Sequence, residues 1–345
     1  MKILHYVPSF LNGGIETMLV NVANMQAAGG DTVAVMVFTD KVSPDLRATL
    51  SPSVRLYCAG KPVGNRNPFY VLKANWFHTS FAPDVFHLHA TEASRLFPLK
   101  SRLEKRVVTI HSNSLPVSAH PSVDRYIAIS RCVQEYFRQK TGMDSVLCYN
   151  GIDIDSFSVK KDYPTRPAKI LSIGRLTPVK GMDILIRGFS CISGKFPGLK
   201  LDIWGEGEQR SELESLIGGL SMQDRITLCG NVDARYVEKH IADYDIVIQS
   251  SRHEGLGISA IEAMAAGVPL IVSGSDGFLE VTDDGRFATL FERENPLALG
   301  NAIRQVVENY GNAVATAGNA VGYAAETFSL RAMVDRLDGI YKMDN

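Results

Sequence analysis

Short apolar runs bounded by Gly, Pro and polar turns recur along the chain, and helical patterns fill the spaces between them. Residues 3–7, 32–38, 54–56, 85–88, 107–110 and 126–129 read as buried strands of one sheet. A second set repeats the pattern at 169–173, 200–204, 226–229, 246–249, 270–272 and 288–290, with helices at 182–192 and 209–216 between its strands. Strands that are apolar on both faces and alternate with helices belong to parallel sheets covered on both sides. The pattern therefore predicts an α/β chain with two doubly wound sheets, each the core of its own domain.

The predicted boundary follows Asn150-Gly151-Ile152-Asp153, where the polar, Pro-containing stretch 160–166 reads as a linker before the second set of strands. This gives a first domain over 1–155 and a second over 156–327. The tail carries Leu330, Met333, Val334, Leu337 and Ile340 at helical spacing, a stripe for burial.

Composition narrows the class. With 345 residues, 45% of them hydrophobic and 21% charged, the chain can bury two cores of about 150 residues each. A formal charge of −1 gives no bulk attraction for nucleic acid. The five cysteines are scattered without a C-x-x-C pair and read as reduced core residues. The start MKILHYVPSF lacks a basic leader region, and no apolar run reaches the ~18 residues of a membrane span, so the expected location is cytoplasmic.

The segment 253–269, HEGLGISAIEAMAAGVP, holds the strongest chemical signal. It follows the strand 246–249, so Glu254 falls on a loop at a strand's carboxyl end, where open α/β sheets bind ligands. The turn Gly255-Leu256-Gly257 leads into a helix read over 259–266, whose first N–H groups lack intrahelical partners and favour an anion. Glu254 and Glu262 bracket that position, and carboxylates accept paired hydroxyl hydrogens well.

An E-x7-E element of this form, EGLGISAIEAMAAGVP, resembles the retaining, nucleotide-sugar-dependent glycosyltransferases of family 4. Gly13-Gly14-Ile15-Glu16, Asn150-Gly151-Ile152-Asp153 and Gly174-Arg175-Leu176 with Lys180-Gly181 resemble further motifs of that family and come in its order. The resemblance implies the GT-B fold: two Rossmann-like domains facing a cleft, with the C-terminal helix of 328–345 crossing back to the first. It also implies a hexosyltransferase that binds a nucleotide-sugar donor, with UDP favoured, on its second domain. Arg175, Lys180, Gly13, Gly14 and the backbone of Gly255, Leu256, Gly257 and Ile258 would hold the diphosphate. Glu254 would fix sugar hydroxyls, Glu262 the ribose hydroxyls, and the backbone of Gly230, Asn231 and Val232 the base. His111, opening the loop 111–114, would touch the transferred sugar. A metal-independent, front-face transfer with retention is expected, without a cofactor and without metal ligands.

Other features bear on this reading. A nicotinamide site is disfavoured, because the glycines are only the adjacent pair Gly13-Gly14 and no acid closes the strand 32–38 before Thr39. His87 and His89 share the spacing of metal ligands, yet the sequence offers no third, so His87 reads as structural and His89 as a lining residue. Leu256 stands where the family more often has Phe, a change of packing, while the loose segment ending in Glu280 and Ala288 in place of Gly leave the sugar pocket open. The acceptor is expected to be a glycan or lipid-linked saccharide, with surface polysaccharide assembly as a context. The helix 68–81, rich in aromatic residues, and the basic run 100–106 read either as packed and solvated faces or as a peripheral contact with an anionic membrane. Another GT-B enzyme, such as a nucleotide-sugar epimerase, and a non-catalytic scaffold of the same fold are the alternative readings.

Overall fold

A computed structural model describes residues 1–11, 13–113 and 115–343. Ser114 of the expected 111–114 loop and the last two residues of the 328–345 tail lie outside the described residues. The chain divides into two compact units, Met1–Gly151 with the segment from Leu330, and Ile152–Ser329.

The first unit is built on seven strands, β1 (Lys2–Val7), β2 (Thr32–Thr39), β3 (Arg55–Lys61), β4 (Val85–Leu88), β5 (Lys105–Ile110), β6 (Arg125–Ala128) and β7 (Val146–Leu147). Every pairing is parallel, in the order β3-β2-β1-β4-β5-β6-β7. β7 escapes sequence reading because two residues carry no periodicity. The helix Leu330–Lys342 buries Leu330, Met333, Val334, Leu337 and Ile340 against Ile3, Val85, Val107 and Ile127 of this sheet. The tail's apolar stripe thus completes the first unit's core, although it follows the second unit in sequence.

The second unit has six parallel strands, β8 (Lys169–Ile173), β9 (Lys200–Trp204), β10 (Ile226–Gly230), β11 (Ile246–Gln249), β12 (Leu270–Ser273) and β13 (Thr289–Phe291), in the order β10-β9-β8-β11-β12-β13. Helices Pro296–Glu308 and Tyr310–Phe328 follow. The sequence pattern left both unassigned, the second being rich in Ala, Gly and Asn with few large apolar residues to mark a face.

The units meet four residues earlier than the sequence boundary, and residues 328–329 also go with the second. The Ile152 N–H donates to the Phe328 carbonyl at 2.9 Å, and Ile152 bridges Ser329. Nor is 160–166 a free linker. Lys160 donates its backbone N–H to Ala266 O at 2.9 Å, its ammonium lies 3.3 Å from the Asp245 carboxylate, and the Tyr163 hydroxyl donates to Gly267 O at 2.7 Å. Side-chain anchors hold a segment whose composition alone suggested solvent.

Candidate functional site

In the second sheet the strand order reverses between β8 and β11, which are neighbours whose successors run to opposite edges. Loops leaving such a pair diverge, and the crevice at their carboxyl ends is where α/β sheets take ligands. The loop after β8 carries Gly174, Arg175 and Lys180, and the loop after β11 carries Ser250 to Gly257.

These two loops are stitched together. Ser250 Oγ lies 3.1 Å from Lys180 O and 2.9 Å from Gly181 O, and the Arg252 N–H donates to Val179 O at 2.8 Å. The Arg252 guanidinium forks onto Asp183 at 2.9 and 2.8 Å and reaches Pro178 O at 2.6 Å. Burial pushes the Asp183 carboxyl up, but the guanidinium outweighs it and holds the group below its ordinary range. Gly181 makes the approach feasible: its φ is +63°, and a Cβ there would stand 2.3 Å from Ser250 O.

At the centre, Lys180 Nζ donates to Glu254 Oε2 at 2.6 Å, and Ser251 Oγ donates to the same oxygen at 3.2 Å. Both members of the ion pair are mostly covered, with side chains 20% and 15% exposed. Lys180 and Arg175, expected as a matched pair of cations for a diphosphate, therefore differ. Lys180 is neutralised by Glu254, whereas Arg175 is exposed and, among the described residues, has no side-chain hydrogen bond or ion pair. The pairing of Lys180 with Glu254 was missed because 74 residues separate them; Ser250, Ser251, Arg252 and Asp183 were missed too. The polar run directly after an apolar strand was the available signal.

Gly257, at φ +97°, caps the helix Ile258–Ala265, and the Phe278 ring would lie 2.6 Å from a Cβ at this position. Leu256 is buried, so its side chain packs inward while its backbone stays on the loop. Glu262 is half-buried on that helix, with its neighbours Ile261 and Ala263 fully buried. Its carboxyl is pushed up to about 8 by burial and then by the nearby Glu238. At the end of β10, Gly230 O accepts from Gly205 N–H at 2.8 Å, leaving Asn231 exposed and Val232 half-buried.

In the first unit the order reverses between β1 and β4. Gly13 caps the helix Gly14–Ala28, and the Glu16 carboxylate folds back over it, 2.6 Å from where a Cβ would stand. Gly14 has open space beside it. The histidines gather at the same end of the sheet. His5 Nδ1 lies 3.2 Å from His89 Nε2, and His89 Nδ1 lies 3.1 Å from His111 Nε2. His87 bonds the Tyr341 hydroxyl and Thr109 Oγ1, both at 2.7 Å.

His5 is thus the third histidine that spacing alone could not supply, and one nitrogen from each of His5, His87 and His89 falls within 4.8 Å of the others. The rings do not converge on a cation, however. His5 Nδ1 and His89 Nε2 are bonded to each other, their remaining nitrogens bond Gln26 and His111, and both His87 nitrogens already have partners. Burial lowers His5 and His111 to about 4 and pulls His87 and His89 well down, so all four are neutral at pH 7.

The aromatic helix is Phe69–Phe81. It buries Ala74, His78 and Phe81 and exposes Phe69, Leu72 and Trp76. The basic run 100–106 is not a basic face. Arg106 is fully buried, bonded to Glu104 at 2.9 and 3.1 Å and to the Phe97 and Leu99 carbonyls, while Lys100 pairs with Asp124. Charge in sequence becomes internal scaffolding here, because the Phe97 and Leu99 carbonyls and the Glu104 carboxylate need a donor. Among the described residues no helix is long and apolar enough to cross a membrane.

Comparison with known proteins agrees with this architecture. Residues 12–156 match Glycosyltransferase Family 4, and residues 153–322 match Glycosyl transferases group 1. An uncharacterized glycosyltransferase of Methanocaldococcus jannaschii is 28% identical over 285 residues, 78% of this chain and 72% of that protein. The phosphatidyl-myo-inositol mannosyltransferase of Mycobacterium leprae is 30% identical over 244 residues, 66% of this chain and 64% of its own length. Among solved structures, Anabaena HepE in complex with UDP and glucose superposes with a TM-score of 0.80 at 20% identity, covering 99% of this chain and 100% of that one. The two parallel-sheet units, the loops at their strand reversals and the paired family matches together establish that the chain belongs to the GT-B glycosyltransferases of group 1 and family 4.

Proposed function

We propose that the protein is a retaining glycosyltransferase that moves a hexose or N-acetylhexosamine from a nucleotide-sugar to a hydroxyl of a glycan or lipid-linked glycan. The observation that carries this is the Lys180–Glu254 pair on loops joined at the strand reversal of the second sheet. A neutralised pair can open onto a substrate carrying both kinds of partner. The diphosphate takes the Lys180 ammonium together with Arg175 and the N–H groups of Gly255 to Ile258, and the released Glu254 carboxylate takes sugar hydroxyls. Glu262 receives the ribose hydroxyls, Gly230 to Val232 the base edge, Gly13 and Gly14 approach phosphate through the backbone, and His111 contacts the transferred sugar.

As the bond to the departing phosphate breaks, negative charge grows on its oxygen, which is where fixed cations contribute most. The acceptor hydroxyl attacks from the face the nucleotide leaves, and its proton passes to that oxygen. This accounts for retention without an enzymic nucleophile, unlike the paired-carboxylate route of retaining glycosidases. The protein cations supply the charge in this scheme, so no metal is called for. A UDP donor is favoured by the UDP and UDP-glucose complexes of HepE, and a lipid-linked acceptor by the name of the mycobacterial relatives. The exposed Phe69, Leu72 and Trp76 would bring the protein to an anionic membrane surface carrying that acceptor.

The test is a thermal-shift and calorimetric panel of UDP, GDP, ADP and their sugars, with and without EDTA. A ligand specific to the folded state, at a hundredfold excess over its Kd, adds roughly 2.7 kcal/mol. Stabilisation by one nucleotide series that survives EDTA is expected. No stabilisation by any of them, with or without added divalent metal, would refute the donor assignment.

A further inference from the structure

Beyond the donor loops, the first unit contains a line of hydrogen bonds running from Gln26 through two strands to His111. Gln26 Oε1 lies 2.8 Å from His5 Nε2, His5 Nδ1 lies 3.2 Å from His89 Nε2, and His89 Nδ1 lies 3.1 Å from His111 Nε2. His5 is fully buried and His89 nearly so. His111 Nδ1, at the far end, is buried without a partner among the described residues.

A neutral imidazole has one N–H donor and one bare acceptor nitrogen, so one fixed end determines every ring in the line. A carbonyl oxygen only accepts. The Gln26 oxygen therefore puts the His5 proton on Nε2, which leaves His5 Nδ1 as an acceptor and requires a proton on His89 Nε2. His89 Nδ1 is then an acceptor, and His111 must carry its proton on Nε2. The lowered basicity of these rings keeps them neutral at pH 7, the condition under which this alternation holds. Reversal would need three rings to exchange protons together and the Gln26 amide to turn over; with Gln26 Oε1 on His5 and its Nε2 buried without a hydrogen bond among the described residues, donation runs from His111 towards Gln26.

We propose that Gln26, His5 and His89 are positioning residues that fix the tautomer of His111, so that its Nδ1 presents a bare lone pair to a hydroxyl of the bound sugar. The identity of that ligand rests on the glycosyl-transfer reading above, whereas the tautomer does not. A bare nitrogen accepts from an O–H or N–H group and offers nothing to an ether or carbonyl oxygen. The relay thereby makes His111 selective for a donating group, and it does so with residues that never meet the substrate.

The experiment uses the full-length, ligand-free protein with nitrogen-15-labelled histidine, read by two-bond proton–nitrogen correlation near neutral pH, with His111→Gln to assign the His111 signals. The expected result is a pyrrole-type Nε2 and a pyridine-type Nδ1 on His5, His89 and His111. A proton on Nδ1 of His111, or exchange-averaged nitrogens, would overturn the relay, and this reading needs no relay variant to fold. Gln26→Met, of similar length but without the oxygen, should leave His111 a mixture of tautomers. It should also lower kcat about fivefold with KM within about twofold, the loss expected for one hydrogen bond. A single unchanged tautomer in this variant would overturn the relay, and a mixed tautomer with unchanged kcat would overturn its role in transfer. If nucleotide-sugars fail to bind while His111 keeps its proton on Nε2, the transfer reading falls and the relay stands. Donor binding with the Nδ1 tautomer overturns the relay alone.

Discussion

If Glu262 takes the ribose hydroxyls as proposed, it ties donor binding to pH. In the free protein its carboxyl is raised to about 8, first by burial and then by Glu238, so at pH 7 about nine tenths of the molecules hold it protonated. A raised carboxyl contributes stability that is complete below its ordinary value of 4.5 and is lost as pH rises through about 8. Two ribose hydroxyls donating to this carboxyl favour the charged form instead. Binding must then release a proton, and affinity must rise with pH until the free group is ionised. With the bound carboxyl ionised throughout, Kd should tighten by roughly fiftyfold, or about 2.3 kcal/mol, between pH 6 and pH 8, and level off above that.

Isothermal calorimetry in buffers of different ionisation enthalpy measures the proton directly. A nucleotide-sugar is the proper ligand, because its diphosphate has no titration near neutrality to mix with that of the protein. At pH 7 the slope of observed enthalpy against buffer enthalpy should correspond to about nine tenths of a proton released. Glu262→Gln keeps the side chain's shape but cannot ionise, so it should bind more weakly at pH 8 and show no slope. A wild-type slope of zero would refute the reasoning, and so would a slope that survives in the Gln variant. Glu238→Gln should shift the pH midpoint of the wild-type curve downward, since it removes the repelling neighbour.

The remaining predictions probe the scaffold and the loops. Lys180→Ala should reduce transfer at least about a hundredfold, measured where the variant is still folded, and a double-mutant cycle with Glu254→Ala in the free protein should give a coupling of about 1–3 kcal/mol; parental turnover in the single variant would void the diphosphate role. Gly181→Ala sets a Cβ 2.3 Å from Ser250 O at φ +63° and should cost more than about 1 kcal/mol in urea unfolding, with weaker nucleotide binding. Arg106→Met leaves Glu104 buried against His78 without its guanidinium and should cost about 3–5 kcal/mol, read as loss of the first unit's unfolding transition. Replacing Phe69, Leu72 and Trp76 by Ser should abolish sedimentation with anionic vesicles while leaving thermal stability nearly unchanged; retained sedimentation would remove this face from the membrane reading.

What the sequence revealed and what it hid divide along a physical line. Strands of both sheets were legible because period and apolarity are local, and the E-x7-E loop was legible because a strand, a glycine turn and a helix start lie within one short segment. The Lys180–Glu254 pair and the His5–His89–His111 line are products of parallel topology. Crossover connections bring strands that are distant in sequence side by side, so β1 meets β4 and β8 meets β11. A parallel sheet thereby gathers polar residues from the carboxyl ends of several strands at one edge, and nothing in any single segment announces the meeting. The same reasoning explains the failed linker and the failed basic run. Lys160 and Arg106 look solvated in sequence, yet each satisfies backbone carbonyls or a carboxylate supplied by another segment. Unpaired cations at strand ends are therefore the residues to examine for ligands. Arg175 alone of the expected donor cations fits that description before any ligand arrives. On this argument Arg175→Ala should weaken donor binding without the stability loss that accompanies a broken ion pair, whereas Lys180→Ala must alter both. Equal stability losses in the two variants, measured by urea unfolding without ligand, would contradict it.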